Sequence, residues 1–186
     1  MICERIPSFL DIQDRVLIAI EGNSGAGKST LGREVADIFN ANLFHMDDYF
    51  LSPELRTNAR MKEIGGNVDY VRFKSEIIEG INKGNPFQFR RFNCKLQEFS
   101  QPNNVVPKRV NIIEGSYSLH PTLIEFYDCK IFVEISPEVQ EKRILARSGP
   151  DMFENFKSLW IPLENLYFKT FAIKEKCDLV CCMSTI

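Results

Sequence analysis

Gly22-Asn23-Ser24-Gly25-Ala26-Gly27-Lys28-Ser29 decides how this chain is read. The octet fits G-x-x-x-x-G-K-[ST] at every fixed position. It follows a β-rich apolar run at 16–21 and precedes Leu31, Val35, Ile38 and Phe39, which recur at helical spacing. In that strand–turn–helix context the glycines let the backbone curl, so that successive N–H groups converge on phosphate oxygens. The helix N-terminus adds a positive dipole end. Lys28 places a point charge on the β and γ phosphates, and Ser29 offers a hydroxyl to Mg²⁺. With Thr30 beside it, the segment 22–30 is the expected nucleotide cradle.

Outward from this turn, strand-like and helix-like segments alternate, which predicts a parallel α/β sheet. Strands are expected at 42–46, Val110–Glu114, 130–134 and Leu179–Cys182. Tyr70, Phe73, Ile77 and Ile81 predict a helix closed by Gly84, and 87–92 with 96–100 predict a hairpin turning at Asn93-Cys94-Lys95. Ser136-Pro137-Glu138 starts a helix, and Gly149-Pro150 stops it. A long last helix through Phe156, Trp160, Leu163, Tyr167 and Phe171 should kink or restart at Pro162. Residues 52–67, with Pro53, Gly65 and Gly66, read as a mobile loop. The whole, 1–186, reads as a single P-loop domain: a three-layer α/β sandwich with a mainly parallel, five-stranded sheet and a β-hairpin.

Composition excludes other classes. With 186 residues, 44% apolar and 26% charged, the chain carries enough core for one domain and is not a disordered or fibrous sequence. A net charge of −2 supplies no bulk positive field for nucleic acid or an acidic membrane. The apolar run at 16–20 is far too short to span a bilayer. The start M-I-C-E-R-I-P resembles no signal peptide, and the end M-S-T-I has no cysteine four from the terminus, so a cytoplasmic location is expected. Cys3, Cys94, Cys129, Cys177, Cys181 and Cys182 form no C-x-x-C pair and read as reduced thiols.

A Mg²⁺ ion needs more hard oxygens than one hydroxyl. Glu114, closing the strand Val110–Glu114, is a Walker-B-like carboxylate that reaches the metal or its water shell if its strand lies beside the first. Asp47 and Asp48 follow the second strand, where the carboxyl edge of a parallel sheet lines the ligand crevice. On an extended chain the two would point opposite ways, so one faces the phosphates and can take a proton from an attacking hydroxyl. His45 and His120 read as structural. Arg143 and Arg147, four apart on one helix face, either clamp a transferring phosphoryl group or pair with Glu138 and Glu141 on a solvated face.

Neither the base-reading N-K-x-D and D-x-x-G of GTPase switches nor the L-S-G-G-Q of transporter ATPases occurs. The ordered set formed by the P-loop, HMDDYF, GGNVDYVRF, IIEG, KRILAR and W-I-P-L-E-N-L-Y instead resembles the phosphoribulokinase/uridine kinase family, over residues 16–180. The resemblance implies MgATP as cofactor and phosphoryl transfer to the 5′-hydroxyl of a nucleoside-like small molecule. It makes Asp47 the catalytic base and Glu114 the acidic residue after the Walker B strand. Asp69 then holds the ribose hydroxyls, and Arg143 and Arg147 belong to the helical lid of the kinase domain, at a spacing unlike that of typical uridine kinases. Phe92 and Gln97 stand where uridine kinases have a tyrosine and a histidine that reads the pyrimidine. Nicotinamide riboside, pantothenate and sugar kinases of the same fold therefore remain alternatives, as does a nucleotide-binding regulator without an acceptor. Neither nucleic acid nor membrane is an expected partner, and a homo-oligomer is compatible with this reading.

Overall fold

The structure is a computed structural model that describes residues 2–183. Met1 and residues 184–186, which include most of the terminal stretch read for a lipid signal, lie outside the described residues. An N-terminal helix, α1 (Ile2–Leu10), leads into β1 (Val16–Gly22), α2 (Lys28–Phe39) and β2 (Asn42–His45). The helices α3 (Asn58–Lys62), α4 (Tyr70–Phe73) and α5 (Glu79–Lys83) follow. Four short strands come next: β3 (Phe87–Phe89), β4 (Phe92–Asn93), β5 (Glu98–Phe99) and β6 (Asn103–Val105). Then come β7 (Val110–Glu114), β8 (Cys129–Glu134), α6 (Pro137–Ser148), α7 (Pro150–Asn155), α8 (Ile161–Phe171) and β9 (Leu179–Cys182).

The main sheet has five strands in the order β2-β7-β1-β8-β9, and every pairing is parallel. β1 is central and buried along its whole length. A strand's side chains alternate between faces, so a strand covered on both sides is apolar throughout. Leu17 and Ala19 join the core that holds Phe44, Phe132 and Tyr167. Val16, Ile18 and Ile20 join the opposite core with Val35, Ile112 and Ile131. This is the three-layer P-loop fold expected from the sequence. Gly22 ends β1 with φ 141°, and a Cβ there would lie 2.0 Å from the Val133 carbonyl oxygen, so the close approach of β8 admits only glycine.

Local departures have physical causes. The expected hairpin is two separate ladders: β3 pairs β6, and β4 pairs β5, both antiparallel. The second strand ends at His45, and Met46–Tyr49 forms a 3₁₀ turn, so the divergence of Asp47 and Asp48 is not that of an extended chain. The segment read as a loop holds the 3₁₀ turn Pro53–Leu55 and α3, capped by the Thr57 hydroxyl. The last helix restarts at Pro162 as expected. α7 runs through a π-helical turn, Phe156–Trp160, into α8, whose first turn tolerates the proline's missing N–H. A second π turn, Lys74–Ile78, joins α4 to α5. α1 was not foreseen; Pro7 lies inside it, and Ile6 anchors it in the core.

Candidate active site

The P-loop curls from β1 into α2 with Gly25 and Gly27 both at left-handed φ. Lys28 is 8% exposed and folds back over the loop, where its ammonium donates to the Gly22 carbonyl at 2.7 Å and the Asn23 carbonyl at 3.1 Å. Ser29 and Thr30 are exposed in the first turn of α2. The loop is braced by two helices. Gln140 of α6 donates to the Ser24 carbonyl at 2.9 Å, and Arg143 reaches the Gly25 carbonyl at 3.3 Å. From α8, Glu164 accepts the Ser24 N–H at 3.0 Å and the Ser24 hydroxyl at 2.5 Å, and also the Ser116 hydroxyl at 2.7 Å.

Beneath the loop Glu21 is fully buried. Its carboxyl accepts N–H bonds from Gly22 at 3.0 Å, Tyr117 at 3.2 Å and Leu119 at 3.1 Å, and the Tyr167 hydroxyl donates at 3.2 Å. Burial pushes its pKa up to about 7, against the pull of Lys28 and the N–H donors. Glu21 ties the segment after β7 to the start of the P-loop.

Glu114 lies at the end of β7, in register with Ile20 of β1 and His45 of β2. It is 4% exposed, and its Oε1 sits 2.5 Å from His45 Nδ1. That hydrogen bond holds the His45 pKa above its ordinary value. The strand adjacency assumed for Glu114 is therefore present, and His45 acts as its orienting neighbour. His120 has no such setting: it stacks on Tyr70 at 4.2 Å, and burial lowers its pKa to about 4.

Asp47 stays open to solvent on the 3₁₀ turn while protein crowds round it. Burial raises its pKa; Lys28 opposes the rise, and Glu114, Glu164 and Asp48 add to it. Asp48 pairs with Arg91 at 3.3 Å. Asp69 caps α4 by accepting the Arg72 N–H at 3.0 Å, and its second oxygen lies 3.6 Å from Arg72 Nε. Arg72 also donates to the Asp48 carbonyl at 3.1 Å, so Asp69 is linked to the turn that carries Asp47.

A cavity of about 500 Å³ opens beside this turn, lined by Asp47, Asp48, Arg91, Phe92, Asn93 and Lys95 among others. Phe92 is 4% exposed and packs edge-on against Phe99 at 5.2 Å, leaving little ring face for a base. Gln97 does not line the cavity. It sits at the β4–β5 turn with φ 56°, and its amide donates to the Cys94 carbonyl. The two lid arginines also part company: Arg147 lies over the Phe156 ring at 5.5 Å, away from the P-loop that Arg143 touches.

The arrangement suits a nucleotide and Mg²⁺. The left-handed glycines and the helix N-terminus make an anion cradle. Ser29, Glu114 and Asp47 supply hard oxygens nearby. Among the described residues no three acidic, histidine or cysteine side chains form a closed metal cage; a Mg²⁺ held largely through phosphates and water does not require one. Glu21, Glu164, Gln140, Ser116 and Arg72 escaped the sequence reading. The P-loop motif names the residues that face the ligand, and nothing in its spacing reports which distant side chains hold it.

The Phosphoribulokinase / Uridine kinase family matches residues 17–152. A phosphoribulokinase of Synechocystis sp. is 28% identical over 130 residues, covering 67% of this chain; the chain spans only 39% of that protein's length. A uridine kinase of Brevibacillus brevis is 30% identical over 156 residues, covering 77% of this chain and 70% of that protein. A solved structure described as a possible uridine kinase from Bacillus stearothermophilus superposes with a TM-score of 0.71, covering 97% of this chain and 96% of that one. At 16% identity this likeness concerns the fold.

Proposed function

The chain belongs to the phosphoribulokinase/uridine kinase family of kinases, and from that premise we propose that it transfers the γ-phosphoryl group of ATP to a hydroxyl of a small molecule, in the first instance the 5′-hydroxyl of a nucleoside. The observation that carries this reading is the position of Asp47. Its carboxyl lies within electrostatic reach of Lys28 on the nucleotide side and lines the cavity on the other.

Each residue then has a task. The P-loop N–H groups and Lys28 hold the phosphates and offset charge on the transferring oxygens. Ser29 and Glu114 would hold Mg²⁺, with Asp47 at the edge of its water shell. The metal, when bound, neutralises the developing phosphate charge. Asp47 orients the acceptor hydroxyl and takes its proton, and its raised pKa makes it a better base than a free carboxylate. Asp69, buried at the cap of α4 and behind the residues that line the cavity, binds acceptor hydroxyls that reach past the Asp47 turn, steered by Arg72. Arg143, already at the Gly25 carbonyl, needs the shorter movement to reach a phosphoryl oxygen; Arg147 must leave Phe156.

The burial of Phe92 favours a second reading, in which the acceptor is a sugar or another polar alcohol gripped by Arg91, Asn93 and Lys95. One assay separates these readings. ADP release from ATP is measured over nucleosides, nicotinamide riboside, pantothenate and sugars. Stimulation by nucleosides alone supports the first and by sugars the second. A slow rate that no hydroxyl compound stimulates defeats the acceptor-kinase reading in favour of a nucleotide-binding regulator.

A further inference from the structure

Glu164 lies outside the P-loop, the Walker-B-like strand and the arginine helix, yet both of its oxygens are spent on the nucleotide site. It is 4% exposed, and its partners are the Ser24 N–H, the Ser24 hydroxyl and the Ser116 hydroxyl. A buried carboxylate with three donors is strongly held, because charge-assisted bonds are roughly twice as strong as neutral ones.

Two of these contacts lead to Lys28. The Ser24 N–H and the Asn23 carbonyl belong to one planar peptide unit. Glu164 accepts at its N–H end, and the Lys28 ammonium donates at its carbonyl end, 3.1 Å away. Fixing one end of a rigid plane fixes the other. The second contact runs through Ser116, whose hydroxyl donates to Glu164 and lies 3.5 Å from Lys28 Nζ. An ammonium has three N–H groups. With Gly22 and Asn23 engaging two of them, the third points to the Ser116 hydroxyl, so two of the three acceptors around the ammonium, the Asn23 carbonyl and Ser116, are held by Glu164.

We propose that Glu164 is a positioning residue of the nucleotide site: from α8 it fixes the Asn23–Ser24 peptide and Ser116, and so aims the Lys28 ammonium at the bound phosphates. This assignment rests on the kinase reading for its nucleotide and gives a task to the glutamate of W-I-P-L-E-N-L-Y, which the sequence reading left without one.

The test is a double-mutant cycle read by calorimetric titration with MgADP, which needs no acceptor. Glu164→Ala should weaken MgADP by about tenfold, within the range of coupling between groups in one network. Lys28→Ala should weaken it more, and Lys28→Ala/Glu164→Ala should bind no worse than Lys28→Ala alone. Glu164→Gln retains an acceptor for the Ser24 N–H and should recover part of the loss. Thermal melts identify any variant that fails to fold, and the glutamine variant, nearly isosteric, then carries the cycle. Additive losses in the double variant overturn the proposal, since Glu164 would then act independently of Lys28. So does wild-type affinity in both Glu164 variants. A wild-type protein that does not bind MgADP overturns the nucleotide-site reading and this inference together, whereas additivity removes this inference alone.

Discussion

The P-loop mouth and the short β4–β5 ladder, which reaches the cavity through β4, both border Asp47, and they are held by different means. The loop is clamped by buried side chains from β1, α6 and α8: Glu21, Gln140 and Glu164. Across the cavity β4 and β5 are two residues each, Arg91 is half exposed, and Gln97 holds a left-handed turn with a local bond. One side presents backbone dipoles on a rigid frame, and its ligand is a phosphate chain. The other presents side chains on a light scaffold, and side chains on such a scaffold can be exchanged without disturbing the core. A fold built this way keeps its phosphoryl donor and varies its acceptor.

Asp47 stands at the boundary, and the largest effect is expected there. Asp47→Asn keeps size and hydrogen-bonding ability but cannot accept a proton, so kcat with the best acceptor should fall by about 10²–10⁴-fold while nucleotide affinity holds. The same residue sets the acid limb of the pH profile. Its raised pKa disfavours the charged form, so the base is lost as pH falls through a value above that of an ordinary aspartate. The acid limb in log kcat/KM should therefore lie above an ordinary aspartate's and vanish in the asparagine variant. If Asp48→Asn is the damaging change instead, the assignment at this turn is off by one residue.

Lys28→Ala tests the clamped side. Turnover should fall by about 10²-fold, near 3 kcal/mol, and nucleotide affinity should fall with it, in contrast to the asparagine variant. Full turnover in purified Lys28→Ala protein would remove the P-loop from the mechanism.

Asp69→Asn tests the acceptor side from α4, outside the short strands. Asparagine still caps α4, so a melt should barely move. Losing charge-assisted bonds to acceptor hydroxyls should raise the acceptor KM by about tenfold. An unchanged KM would make Asp69 a helix cap and nothing more. The smallest effect belongs to Arg91→Ala. Exposed ion pairs are worth about 0.2–1 kcal/mol, so stability should change within that range and the acceptor KM by a few-fold. A large loss of nucleotide affinity in Arg91→Ala would dissolve the distinction between the two sides.

The same contrast explains what the sequence disclosed. β1, β7 and β8 were legible because buried parallel strands are largely apolar runs, β9 as a short apolar run at the sheet edge, and the P-loop because its glycines answer to backbone geometry. Glu114 was legible from its place at a strand end, once β7 lay beside β1. The π turns were not, since an added residue within a helix leaves an ordinary apolar stripe on either side. The split of the expected hairpin into β3–β6 and β4–β5 was hidden by strands too short for a period to register. Asp48's turn toward Arg91 and the grip of Glu164 on Ser24 depend on contacts between residues 43 and 140 positions apart, beyond the reach of local pattern.

The central place of β1 also sets a clock. Its neighbours, β7 and β8, begin at residues 110 and 129, so the first strand made stays unpaired in the main sheet until much of the chain has followed. At about 5–20 residues per second of synthesis, that interval is on the order of ten seconds. Throughout it a strand that is apolar from Val16 to Ile20 has no partner in the main sheet, and long-range parallel pairing is slow even after its partners arrive. The strand that seats the P-loop is thus the part of the nascent chain most in need of a chaperone.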